Sequence, residues 1–161
     1  MKNTFIILAL AFVGLSSCVK EKNFPVQPVI EFKTYSSISI DSADCYISFT
    51  DGDGDIGVNT GDTVPDLIMK YLYKDTTSGA YFPFDSDPTN TTFDTLFYKF
   101  RIPNVTPTGQ YKALEGEIRT KLRQSPLYYP THRFVKFEIQ IRDRAGHKSN
   151  TVTTSEITVP Q

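Results

Sequence analysis

Between Phe134 and Asp143 the chain reads FVKFEIQIRD, in which Val135, Phe137, Ile139 and Ile141 alternate with Lys136, Glu138, Gln140 and Arg142. A period of two puts the apolar set on one face, so the pattern predicts a half-buried antiparallel strand. The same reading places strands over 29–35 (VIEFKTY), 45–50 (CYISFT), 67–74 (LIMKYLYK), 95–102 (TLFYKFRI), 114–122 (LEGEIRTKL) and 151–159 (TVTTSEITV). Segments containing Pro, Gly and Asn separate most of these runs, and helical periodicity is nearly absent. Strands of this number and spacing predict an all-β, two-sheet antiparallel sandwich. The polar stretch 76–92 (TTSGAYFPFDSDPTNTT), with its island of aromatic residues, is expected to leave the sheet.

The first residues follow another pattern. Lys2 precedes an apolar run from Phe5 to Leu15, and small residues then lead to Cys18. That order is the order of a secretory signal, and the run is shorter than the roughly 20 residues that span a bilayer. The expected organisation is therefore a signal over 1–17, a polar tether over 18–27 and one sandwich domain over 28–161. Cys45 is the only other cysteine. It stands in a strand-like run and is expected to be a buried, inert thiol with no disulfide partner. Seventeen basic and eighteen acidic residues give a net charge of −1, so nothing predicts a nucleic-acid partner.

Charge is concentrated locally instead. The segment DGDGDIGVNTGD, residues 51–62, directly follows the predicted strand CYISFT and contains no basic residue. Two unit charges about 6 Å apart in water repel by roughly 0.7 kcal/mol, and several such pairs coexist here. Calcium suits the arrangement, because it accepts six to eight oxygen ligands drawn from carboxylates, carbonyls and water. The glycines let the chain turn tightly enough for alternate side chains to converge. Counted from Asp51 as position 1, Asp53 and Asp55 take positions 3 and 5, the Gly57 carbonyl position 7, Asn59 position 9 and Asp62 position 12. This resembles the calcium loop of the EF-hand and related Asp-rich repeats. Ile56 stands where the turn glycine belongs, Asp62 replaces the longer Glu, and a strand rather than a helix precedes the loop, so an EF-hand itself is not implied. The other reading of the segment is an acidic, solvated hairpin.

Three further resemblances bear on fold and location. Leu15, Ser16, Ser17 and Cys18 resemble the lipobox of bacterial lipoproteins, which implies that Cys18 becomes the lipidated first residue and anchors the chain to the outer membrane. The segment IRDRAGHKSNTVTT (141–154) resembles the last hairpin of bacterial immunoglobulin-like domains. In such a sandwich the loops after the second and sixth strands share one end, so Asp143 either joins the metal site or only caps its own hairpin. Together FTDGDGDIG, RIPNVTPTGQYKALEGEI and DRAGHKSNTV resemble a family of Bacteroidota-type lipoproteins with an immunoglobulin-like β-sandwich and no assigned activity. In those bacteria secreted proteins are O-glycosylated at short Asp-Ser/Thr triplets, which here occur at 41, 62, 75 and 94. Their surface-export signal is an acidic run after the lipidated Cys. VKEK mixes signs, so the sequence leaves both the periplasmic and the cell-surface face open.

Enzyme signals are weak. His132 and His147 are the only histidines, and no Gly-x-Ser-x-Gly elbow is present. A carboxylate-based glycoside hydrolase using Asp85 and Asp87, or Glu115 and Glu117, is the remaining enzymatic reading. The preferred expectation is a non-catalytic, lipid-anchored binding module with a structural calcium loop. Tyr81, Phe82 and Phe84, with Tyr128 and Tyr129, offer a contact surface for a protein or glycan partner. The alternative is a structural subunit docked on a larger envelope complex.

Overall fold

A computed structural model describes residues 22–39, 42–123 and 132–159. The signal segment, Cys18, Tyr128 and Tyr129 lie outside the described residues. All regular structure described is β: β1 (Val29–Ser39), β2 (Ser42–Asp51), β3 (Leu67–Lys74), β4 (Tyr81–Pro83), β5 (Phe97–Phe100), β6 (Leu114–Arg123), β7 (Phe134–Ile141), β8 (Val152–Thr153) and β9 (Ile157–Thr158). Among the described residues no helix is long and apolar enough to cross a membrane.

Every strand pairing is antiparallel. One sheet has the order β1-β2-β6; in the other β3 and β7 are central, flanked by β4 and β5 on one side and by β8 and β9 on the other. The two sheets form the antiparallel sandwich expected from the alternation. Ala43, Cys45, Ile47 and Phe49 of β2 bury their side chains against Leu67, Met69 and Tyr71 of β3 and Val135, Phe137, Ile139 and Ile141 of β7. A period-two strand with one wet face delivers such a set without exception in β7, whose burial alternates residue by residue. Cys45 is 2% exposed and unpaired, and burial pushes its thiol up to about 12, so it stays protonated and inert.

Two elements depart from the pattern reading. The excursion over 76–92 returns to the sheet as β4, because Phe84 packs edge-on against Tyr71 at 6.0 Å and draws Tyr81–Pro83 alongside β3. The run 151–159 is two short strands rather than one. Between them Thr154 turns inward, its amide donating to the Phe137 carbonyl (3.0 Å) and its Oγ1 accepting from the Phe137 amide (3.1 Å). A side-chain hydroxyl thus takes one rung of the ladder.

Candidate metal centre

The loop that follows β2 and the hairpin that follows β7 meet at one end of the sandwich. The Arg144 amide donates to the Asp55 carbonyl at 3.3 Å, and the Ala145 amide donates to Asp55 Oδ2 at 2.9 Å. This joins Asp51, Asp53 and Asp55 to Asp143. Each of the four offers one carboxylate oxygen, and all four oxygens lie within 4.8 Å of one another.

Asp51 is wholly buried and Asp143 is 4% exposed, while Asp53 and Asp55 are partly open to solvent. Asp51 Oδ2 accepts from the Asp55 amide at 3.0 Å. The Oδ1 atoms of Asp51, Asp53 and Asp55 are buried and, among the described residues, have no hydrogen-bond partner. A buried acceptor without a partner costs about 1–3 kcal/mol, and here three occur in one group. Burial pushes the Asp51 carboxyl up to about 6, with the neighbouring Asp53, Asp55 and Asp143 charges adding to it. Burial raises Asp55 as well, against the opposing effect of the Ala145 amide. Asp143 is better satisfied: its Oδ1 accepts from the Gly146 and His147 amides, both at 2.7 Å, and its Oδ2 lies 2.8 Å from His147 Nδ1. That hydrogen bond holds the His147 imidazole above its ordinary value. Asp143 therefore caps its hairpin and also completes the carboxylate group.

The loop glycines have a second duty beyond turning. A Cβ on Gly54, whose φ is +69°, would lie 2.1 Å from the Lys112 carbonyl oxygen; on Gly57, at φ +87°, it would lie 2.2 Å from the Pro103 carbonyl oxygen. Gly52 is covered in the same way by Phe24 and Pro25. Three distant stretches of backbone therefore close over the loop.

The remaining residues predicted as ligands hold other partners. The Gly57 carbonyl accepts from Arg144 Nη1 at 2.8 Å, and the Ile56 carbonyl accepts from the same nitrogen at 3.2 Å. Asn59 Oδ1 accepts from Asn104 Nδ2 at 2.7 Å, while Asp62 Oδ2 accepts from the Asn59 amide at 3.0 Å. Asn59 and Asp62 thus make their own turn, and Asp62 does not belong to the four-carboxylate group. Arg144 was not legible in the sequence as part of this region, since it arrives from the opposite sheet. Its guanidinium donates to two loop carbonyls and to Thr106 Oγ1, and its charge favours ionised Asp55.

The predicted aromatic surface is divided. Phe84 packs on Tyr71 and on His132, whose ring centroid lies 4.8 Å away, and belongs to the core margin. Phe82 is 44% exposed. Tyr81 donates its hydroxyl to Glu156 and lies under Lys136 Nζ at 4.5 Å. His132 is buried and stacked on Tyr73 at 4.3 Å, with Nδ1 at 3.2 Å from the Tyr71 hydroxyl.

A donor set made only of carboxylate oxygens, three of them with an unpartnered buried oxygen, fits a hard cation. The four aspartates could hold a metal ion. No protein-family model matches the chain, and no curated protein or solved structure matches it.

Proposed function

We propose that this protein is a lipid-anchored envelope binding module in which Asp51, Asp53, Asp55 and Asp143 hold a structural calcium ion. The observation that carries the reading is the wholly buried Asp51 at the end of β2, with one oxygen unpartnered, inside a group of four carboxylates completed by the loop after β2 and the hairpin after β7. Calcium supplies positive charge and flexible oxygen coordination there. Magnesium prefers few carboxylates and several waters, and zinc prefers imidazole or thiolate.

The chain's own residues do the rest. Asp51 and Asp55 fix the loop after β2 through the Asp55 and Ala145 amides, Asp143 fixes the hairpin after β7, and the ion ties the two together. Loops at a sandwich end are the usual seat of recognition, so ordering them prepares a contact surface, and no turnover is involved. Cys18 as the lipidated residue would keep this module on the outer membrane, where its partner is a protein or a glycan.

The test is a thermal melt in chelator and then in millimolar calcium or magnesium. A calcium-selective rise in midpoint is expected, because a ligand that binds only the folded state stabilises it by mass action. Equal midpoints in all three conditions would show that the four carboxylates hold no calcium. Replacing Cys18 with Ala should release the protein from the membrane fraction; retention there would refute the anchor.

A further inference from the structure

The two free edges of the β1-β2-β6 sheet are built differently. Along β1 the register shifts twice, between Phe32 and Thr34 and between Ser37 and Ser39. The Asn150 side chain also occupies the edge, with Oδ1 accepting from the Ile30 amide (2.8 Å) and Nδ2 donating to the Ile30 carbonyl (2.9 Å). Bulges and a side-chain cover are devices that stop an edge from recruiting another strand. β6 has neither. Its ten residues pair with β2 in unbroken register, from Ser42 opposite Arg123 to Asp51 opposite Leu114, and among the described residues β2 is its only strand partner.

The charges along β6 have an order. On its exposed face stand Glu115, Glu117, Arg119, Lys121 and Arg123, two negative and then three positive. Reversed and laid beside itself about Ile118, the four charges from Glu115 to Lys121 are self-complementary: Glu115 falls opposite Lys121 of a second copy, and Glu117 opposite Arg119, while Arg123 falls opposite Ala113 beyond the strand. The same register sets Leu114 opposite Leu122 and Ile118 opposite itself on the core-facing side. Sliding by two residues either way sets Glu117 against Glu117 or Arg119 against Arg119 at the axis, a like-charge contact that the register about Ile118 lacks, and an in-register parallel arrangement pairs like with like throughout. Odd shifts would join the wet face to the core face. Beside the edge runs a groove of about 390 Å³ lined by Phe49, Ile102, Val105, Leu114 and Ile118, with Val105 45% exposed. Two of these charges already have partners within the chain, Glu115 with Lys22 and Arg119 with buried Asp44. The guanidinium's five donors allow Arg119 to serve a second carboxylate.

We infer that β6 is a homodimer interface, in which two copies pair antiparallel about a two-fold axis at Ile118 and join their sheets into one of six strands. Such an interface is isologous, so each contact occurs twice, and backbone rungs supply affinity while the charge order supplies register. The inference is independent of the metal site.

Sedimentation equilibrium of the full chain in chelator tests it. Wild type is expected to show a concentration-dependent monomer–dimer equilibrium. Glu115→Lys alone sets two basic side chains opposite each other at both ends of the paired strands, and Lys121→Glu alone sets two acidic ones there. Each should weaken dimerisation by about tenfold or more. An equimolar mixture of the two variants restores four opposite-charge pairs and should dimerise as wild type does, a rescue that no folding defect could give. A wild type that stays monomeric at the highest concentration reached, single variants that dimerise like wild type, or a mixture no tighter than either variant alone would each overturn the inference.

Discussion

Asp51 carries an unusual load for one side chain. In the metal-free protein its carboxyl is raised by burial to about 6, against an ordinary value of 3.8. Between these values the folded state holds a proton that the unfolded state has released. The group's contribution to stability is therefore fully present below about 3.8 and is lost as pH rises through about 6. An Asn at this position keeps the acceptor for the Asp55 amide and removes the buried charge. In chelator at pH 7.5, Asp51→Asn should accordingly be more stable than wild type by on the order of 2 kcal/mol, and the difference should vanish below pH 4. With calcium present the order should reverse, since the ion needs the charge that the metal-free fold resists. Chemical denaturation at several pH values, with and without calcium, measures both. A variant less stable than wild type in chelator at pH 7.5 would mean that Asp51 is satisfied without an ion.

The loop after β2 works as an element because its glycines admit other backbone, and two of them separate that effect from simple turning. Gly61 has φ +98° but open space where a Cβ would stand, whereas Gly54 has φ +69° and the Lys112 carbonyl in the way. Gly61→Ala should cost about 1 kcal/mol in chelator, the ordinary penalty of a left-handed position. Gly54→Ala should cost more than about 3 kcal/mol, since backbone must move as well. Equal costs in urea melts would show that the segments over the loop yield easily. This contact is also where the sequence stopped being informative. Alternation is a local property and made β7 and most of its partners readable, and the spacing of Asp51, Asp53 and Asp55 is local too. Asp143 was reachable only through the topology, from the expectation that two particular loops share an end. Gly57, Asn59 and Asp62 were placed by counting along the chain, and such counting cannot know that Arg144, 87 residues away, donates to the Gly57 carbonyl or that Asn104, 45 residues away, donates to Asn59 Oδ1. β4 was hidden for a similar reason, being held by a ring contact rather than by a periodic pattern of its own.

At the scale of the whole molecule the proposed ion is a cross-brace, because Asp53 follows a strand of one sheet and Asp143 a strand of the other. A double-mutant cycle reads that brace directly. Without metal the two side chains do separate jobs: Asp143 accepts from the Gly146 and His147 amides, and Asp53 relieves repulsion when it is removed. In chelator Asp143→Ala should therefore destabilise by about 1–2 kcal/mol, Asp53→Ala should be neutral or slightly stabilising, and the double variant should be close to their sum. In saturating calcium either substitution alone abolishes most of the ion's contribution, so the second has little left to remove. The coupling should rise above about 1 kcal/mol, against the few tenths expected of independent sites. Additivity in both conditions would show that the loop after β2 binds any ion by itself, with Asp143 confined to its hairpin. Coupling that appears only with calcium would establish that one ion ties the two sheets together at this end of the sandwich, which is the property a recognition surface built from both loops requires.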